Sequence, residues 1–474
     1  MKALTPPSLN TPFEDTVETN TRPLITFFNT KDGIPPRAYR LEIDTSPSFD
    51  SQFCLTYCVT EEMSLVTSCR VPAEHQLEDG WQYFYRVKAT DSSGNESNWT
   101  TSRFFLDSDS DDTFSGLIRT LVTAVYSSGG TGEASLINWA DTGQAEFWCG
   151  TPDKEEQWIC FDLGVTREIF CVWLLGDKSK HEGRLEDYVW QFSPDGSAWT
   201  DIPQTLTRGG DSFRRILQFS PVAARYFRIL IRTWQGARPC LREVILYHKG
   251  DPALPEIPAS PYVLTISNYF SGTDRPFDQL LEQMNLGSVV VPYYLVSLDM
   301  LQGLEPKPVA ILLSGARRWY EDMPMFEFNG VYEIIRTANV PIYGSCCGHQ
   351  LIAMAFGYSF VRDTGRFFAG LYPITIKTDD QILTTVENPF RAYEQHGWEM
   401  AVVPDEFEVK ACSYCEDGHE IVEMIAGKSR LIFGAQFHGE NVEVSGNEQA
   451  TSVVKNFLEL ALSHAQRCAL EVKM

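Results

Sequence analysis

Two short runs carry the residue types needed for nucleophilic acyl chemistry. In the first, VPIYG (340–344) leads into Ser345, Cys346, Cys347, Gly348, His349 and Gln350, and the apolar run LIAMAF (351–356) follows. A β-type run, a tight turn of small residues and a helix start form a nucleophile elbow, which presents the turn side chain near the positive end of the helix. That setting favours thiolate over thiol. A thiolate needs a base, and the base needs an acceptor to orient it, but neither has to lie nearby in sequence. The second run, LIFGAQFHGE (431–440), supplies both: His438, 92 residues after Cys346, and Glu440. His349 follows directly on the elbow's helix and reads as a structural hydrogen-bonding residue rather than the base. Cys412 and Cys415 are spaced like half of a metal site, but no second Cys or His pair follows at a suitable distance, so neither metal nor cofactor is expected.

The elements that must position these groups are α/β in character. The runs YVLTI (262–266), SVVV (288–291) and VAILL (309–313) are nearly continuous in apolar residues, and helix-type stretches at 277–285 and 330–338 lie between them. Such runs alternating with helices imply a largely parallel sheet flanked by helices, assigned to 258–474. A proline-rich connector, DPALPEIPASP (251–261), precedes this region. Everything before the connector reads as all-β, with short alternating runs between turn clusters.

The run GSCCGHQ (344–350) matches the pattern Gly-x-Cys-x-Gly-His-Gln of class I glutamine amidotransferases, and 431–440 resembles that family's Gly-Val-Gln-Phe-His-Pro-Glu run, with Gly439 where proline is usual. The resemblance implies Cys346 as nucleophile, His438 as base and Glu440 as the group orienting the base. It also implies an oxyanion hole made by the N–H groups of Cys347 and Ala316, because ILLSGAR (311–317) resembles the family's Leu-Ser-Gly-Gly-Pro loop. Ala316 stands where the second glycine is usual, and a residue with a Cβ accepts positive φ less readily, so a changed hole geometry is expected. Arg317 and Arg318 place cationic groups where members carry Pro-Gly. YEQHGW (393–398) is similar to the family's His-Gly segment, which makes Gln350, Gln395, Gly397 and Trp398 candidate substrate contacts.

Residues 1–107 resemble a fibronectin type III β-sandwich, carried by YRLEIDTSPSFDS and GWQYFYRVKATDSSGNESNWT. After an acidic run DSDSDD (107–112), read as a solvated linker, residues 113–250 resemble a discoidin domain, also called a coagulation factor type C domain. The motifs are QWICFDLG (157–164), EIFCVWLL (168–175), FSPDGSAWTDI (192–202), AARYFRILI (223–231) and CLREVILY (240–247). That family is a jelly roll that binds sugars, lipids or proteins, so these β-domains are expected to dock a protein or to bind a glycan.

Composition bounds the rest. A chain of 474 residues is too long for one core, and 43% hydrophobic with 22% charged residues is ordinary globular usage. The net charge of −24 repels phosphate backbones, so nucleic acid is not an expected partner. No apolar run is long enough to span a membrane, and the N-terminus lacks the apolar core of a secretory signal. The 12 cysteines lack the dense, regular spacing of a disulfide scaffold, so a reducing cytoplasm is the expected location. The resulting expectation is a glutaminase that hydrolyses the glutamine γ-amide through a cysteinyl acyl-enzyme. Its ammonia would go to a separate synthase, since no P-loop or nucleotide-binding segment is read here. The alternatives are a stand-alone γ-glutamyl amide hydrolase and a non-catalytic glycan- or protein-binding scaffold.

Overall fold

The structure is a computed structural model of the chain. It describes residues 4–12, 16–18, 20–60, 62–63, 66–78, 81–106, 116–137, 147–152, 154–176, 183–209, 214–250, 252–258, 261–356 and 361–471. The acidic run at 107–112 lies outside the described residues.

Alternation decides the N-terminal region. In Gln82–Thr90 every second side chain points inward, and Tyr83, Tyr85, Val87 and Ala89 are buried. This strand sits in a five-stranded sheet with Thr16–Glu18, Thr100–Leu106, Ala38–Asp44 and Leu55–Val59, and a three-stranded sheet of Ser8–Thr11, Leu24–Phe28 and Val66–Arg70 accompanies it. One apolar cluster joins the two, with Ile25 and Phe27 from the smaller sheet against Leu41 and Tyr85 from the larger.

The next region is built on two very long strands, Gln157–Leu175 and Arg214–Trp234, paired antiparallel along most of their length. Glu243–Lys249 and Leu117–Arg119 extend the sheet on one side, and Leu185–Ser193 on the other. Trp148, Trp190, Phe161 and Phe227 fill its core. A disulfide joins Cys149 to Cys240, 91 residues apart.

The C-terminal sheet has nine strands. In chain order they are β1 (Tyr262–Ser267), β2 (Gly287–Pro292), β3 (Ala310–Leu313), β4 (Ile342–Ser345), β5 (Val361–Ile376), β6 (Phe390–Met400), β7 (Phe407–Tyr414), β8 (Glu420–Gly427) and β9 (Ile432–Ala435). Their spatial order is β2-β1-β3-β4-β9-β8-β7-β5-β6. Pairing is parallel from β2 through to β9 and antiparallel from β9 to β6. The sheet is therefore mixed, where the apolar runs imply a largely parallel one. Those runs lie in β1 to β3, inside the parallel half. The helices are α1 (Asp278–Gln283), α2 (Leu298–Gly303), α3 (Asn329–Thr337), α4 (Cys347–Ala355) and α5 (Glu448–Glu471). Helix α5 buries Ala450, Val453, Val454, Phe457, Leu458 and Ala461, the i, i+3, i+4 stripe of a helix laid on a sheet. Among the described residues no helix is long and apolar enough to cross a membrane.

The jelly roll and the C-terminal domain share one apolar cluster. Trp173, Ile245 and Tyr247 from the former pack with Phe270, Tyr293 and Phe326 from the latter. At its centre Arg119 donates from Nε and Nη2 to the two carboxylate oxygens of Glu327, at 2.8 and 2.6 Å, and from Nη1 to the carbonyl of Phe270 at 2.8 Å. The hydroxyls of Tyr247 and Tyr293 donate to the same carboxylate at 2.7 and 3.0 Å. Both charged side chains are almost wholly buried. Removing one partner leaves the other charge buried and unpaired, so Arg119→Ala is expected to lower stability by ~3–5 kcal/mol. A lower urea midpoint for the jelly-roll/C-terminal unit, followed by near-UV circular dichroism, would register the loss.

Candidate active site

The turn between β4 and α4 holds Cys346 in a rare backbone conformation, φ 49° and ψ −103°. A residue with a side chain sits at positive φ only when its surroundings hold it there. Here the Cys346 N–H donates to Ala435 O at 2.8 Å and the Gly348 N–H to Ser314 O at 3.1 Å, which ties the turn to β9 and to the loop after β3. Glycine is required on both sides of the turn. A Cβ on Gly348 would stand 2.4 Å from Leu313 O, and one on Gly344 would stand 2.4 Å from the carbonyl of Gly348.

His438 follows β9 and meets this turn. Its Nδ1 lies 2.8 Å from Glu440 Oε1, while Glu440 Oε2 accepts from Ser345 Oγ at 2.7 Å. The backbone around the imidazole is pinned by His438 N–H to Tyr393 O and by Asn447 Nδ2 to His438 O, both 2.8 Å. Burial alone would lower the His438 pKa, but the Glu440 carboxylate and the adjacent Cys346 offset it and hold the imidazole well above its usual range. Among the described residues His438 Nε2 makes no hydrogen bond of ordinary geometry, and it remains available to Cys346. The Cys346 Sγ has Gln395 O at 3.9 Å and the Gln436 amide Nε2 at 3.7 Å.

Cys347 is pushed up to about 12, chiefly by burial, with the Tyr320 hydroxyl opposing and Cys346 adding to the rise, and so it stays protonated at neutral pH. As the first residue of α4 its N–H is one of the donors a helix leaves free of intrahelical partners. His349 is buried and lowered to about 4 by that burial, and its Nε2 lies 3.2 Å from Val422 O, which makes it a neutral, structural residue.

A cleft opens over Cys346. Ala316, Arg317, Gln395, Gly397 and Trp398 line it, together with Gln350. Ala316 does not adopt positive φ, so the loop turns here without the conformation that glycine would supply. Gln350 is committed to the protein: its Nε2 donates to Trp398 O at 2.6 Å and to Gln436 Oε1 at 3.0 Å, and its Oε1 accepts from Tyr320 at 2.8 Å. Its polar atoms therefore shape the wall of the cleft. Gln395 is exposed at the rim, and Gly397 lies beneath the ring of Trp319. Among the described residues no group of three or more His, Cys, Asp or Glu could hold a metal ion, Cys412 and Cys415 included.

Ser345 and Gln436 were available to sequence reasoning, since both lie inside the two motifs, but their roles depend on contacts across β4 and β9. Trp319 and Tyr320 carried no signal beyond being aromatic residues after the loop.

The glutamine amidotransferase class-I family matches residues 267–460, and the F5/8 type C domain matches residues 122–245. The chain therefore contains both domains. Over 132 residues it is 34% identical to a glutamine-hydrolyzing GMP synthase subunit of Methanocaldococcus jannaschii, covering 27% of this chain and 64% of the relative. A protein of the same name from Sulfolobus acidocaldarius is 33% identical over 128 residues, 27% and 64% of the two chains. The chain thus spans less than two thirds of the length of these relatives. A solved structure described as a GMP synthase subunit from Thermoplasma acidophilum has 24% identity and a TM-score of 0.37, over 44% of this chain and 98% of that one. A carbohydrate-binding module of Clostridium perfringens has 18% identity and a TM-score of 0.24, over 26% and 92%.

Packing at Gly397 is a direct check on this wall. A Cβ there would stand 2.5 Å from Trp319 Cη2 and 2.9 Å from Arg366 O. Gly397→Ala is expected to displace Trp319 and to destabilise the fold by ~1–3 kcal/mol, the usual range for overpacking. A shift in tryptophan emission that is absent when the same change is made in a Trp319→Phe background would locate the effect.

Proposed function

We propose that the C-terminal domain is a glutaminase in which Cys346, His438 and Glu440 act as nucleophile, base and orienting carboxylate. The observation that carries this reading is the convergence on one strained turn of a thiol, an imidazole held by a buried carboxylate, and the N-terminus of α4.

The chemistry follows from these positions. The Cys346 thiolate attacks the γ-carboxamide carbon, and the developing oxyanion takes hydrogen bonds from the N–H groups of Cys347 and Ala316. The His438 imidazolium gives its proton to the departing nitrogen, which leaves as ammonia, and a γ-glutamyl thioester remains on Cys346. His438, now neutral, takes a proton from water as the water attacks the thioester. Glutamate departs and the thiolate is restored. Gln350 and Tyr320 shape the cleft, and Gln395, Gly397 and Trp398 contact the substrate at its rim and wall. The ammonia serves a separate synthase chain that docks on the β-domains, and a glycan at the jelly roll is the other ligand class these domains suit.

The test is coupled measurement of glutamate and ammonia from glutamine. Cys346→Ala is expected to abolish turnover, and Glu440→Gln to reduce kcat by ~10²–10⁴ because the imidazole loses its anchor. Wild-type activity that survives Cys346→Ala would refute the assignment. Rapid turnover of γ-glutamyl amides and slow turnover of glutamine would instead identify a stand-alone γ-glutamyl amide hydrolase.

A further inference from the structure

The cleft wall formed by residues 316–322 is irregular backbone, apart from a single turn of 3₁₀ helix at Tyr320–Asp322. An irregular segment has few internal bonds and depends on outside partners for its position. On the cleft side Tyr320 reaches Gln350 at 2.8 Å and Cys347 Sγ at 3.5 Å. On the opposite side the partners come from the jelly roll. Arg242 Nη1 donates to Asp322 Oδ2 at 2.6 Å, and Arg318 Nη2 donates to Glu243 Oε2 at 3.1 Å. Two adjacent residues of one domain therefore grip the segment at 318 and at 322, on either side of Trp319 and Tyr320.

This grip is itself anchored. Arg242 N–H donates to Leu175 O at 2.7 Å, and Cys240, two residues earlier, is disulfide-bonded to Cys149. Glu243 and the side chain of Arg318 are buried or nearly so, and the Arg318 guanidinium lies 3.6 Å from the centroid of the Phe270 ring. Burial raises the Glu243 carboxyl to about 6, with Arg318 opposing the rise, so the pair is charged at neutral pH and weakens in acid.

We propose that the jelly roll is part of the catalytic unit, with Arg242 and Glu243 as positioning residues that hold the 316–322 segment, and with it the Ala316 N–H and Tyr320, over Cys346. The proposal rests on the glutaminase reading of that site. It differs from a role in domain attachment. Attachment is already provided by Arg119 and Tyr247, which contact Glu327 and Phe326 beyond the segment. Arg242 and Glu243 contact the cleft wall itself.

The test uses the full chain and four proteins: wild type, Arg242→Ala, Arg242→Lys, and Tyr247→Phe as a control that weakens attachment without touching the segment. Arg242→Ala is expected to lower kcat for glutamine hydrolysis by ~10- to 100-fold, with KM changed by less than about threefold, as for a small misplacement of a group that acts in the transition state. Arg242→Lys should recover most of that loss, and Tyr247→Phe should keep kcat within about twofold of wild type. Hydrogen exchange at the amides of 316–320 should quicken in Arg242→Ala and stay unchanged in Tyr247→Phe. Unchanged kcat or unchanged exchange in Arg242→Ala overturns the proposal, as does an equal fall in kcat for Tyr247→Phe. If the wild-type chain releases no glutamate, the glutaminase reading fails by itself, and the exchange measurement still decides whether Arg242 holds the segment.

Discussion

The backbone of Cys346, held at positive φ, is the constraint on which the C-terminal domain depends. Such a conformation costs on the order of 1–3 kcal/mol for a residue with a side chain, and it persists only where the surrounding structure over-determines it. Strand β4 feeds the turn, α4 leaves it, β9 accepts the Cys346 N–H, and Ser314 after β3 accepts the Gly348 N–H. Glycines at 344 and 348 let backbones approach more closely than any side chain would allow. The parallel half of the sheet thus aligns the ends of three strands at one point. His438 and Glu440 reach that point because they follow directly on β9.

Much of this was legible along the chain because the information is local. A turn of small residues between two apolar runs specifies the elbow, and the spacing of His438 and Glu440 after an apolar run places both beyond a strand end. The parallel strands were legible as continuous apolar runs. The antiparallel half was not, because β5 and β6 are long, partly exposed strands whose pairing is set by register and not by composition. Ala316 shows the limit of reasoning by residue type: a Cβ there suggested strain, yet the loop takes a path in which positive φ is not required. Gln350 shows another limit. Its type suits substrate binding, but three protein groups occupy its amide.

Long-range pairs were the least legible. Arg119 and Glu327 are 208 residues apart, and Arg318 and Glu243 are 75 apart. No periodicity or motif joins such positions. A buried arginine among apolar neighbours is tolerable only with its carboxylate present, so the jelly roll and the C-terminal domain become a single packed body at that contact. The cleft over Cys346 then has a wall whose outer face meets another domain.

The central claim is that Cys346 forms a covalent bond to the γ-acyl group. The most direct measurement is peptide-level mass spectrometry after brief treatment with a diazoketone analogue of glutamine, with free glutamine as competitor. The account predicts one adduct per chain, on Cys346, suppressed by glutamine and accompanied by unmodified Cys347. An adduct on Cys347, or no glutamine-sensitive adduct on Cys346, would contradict it.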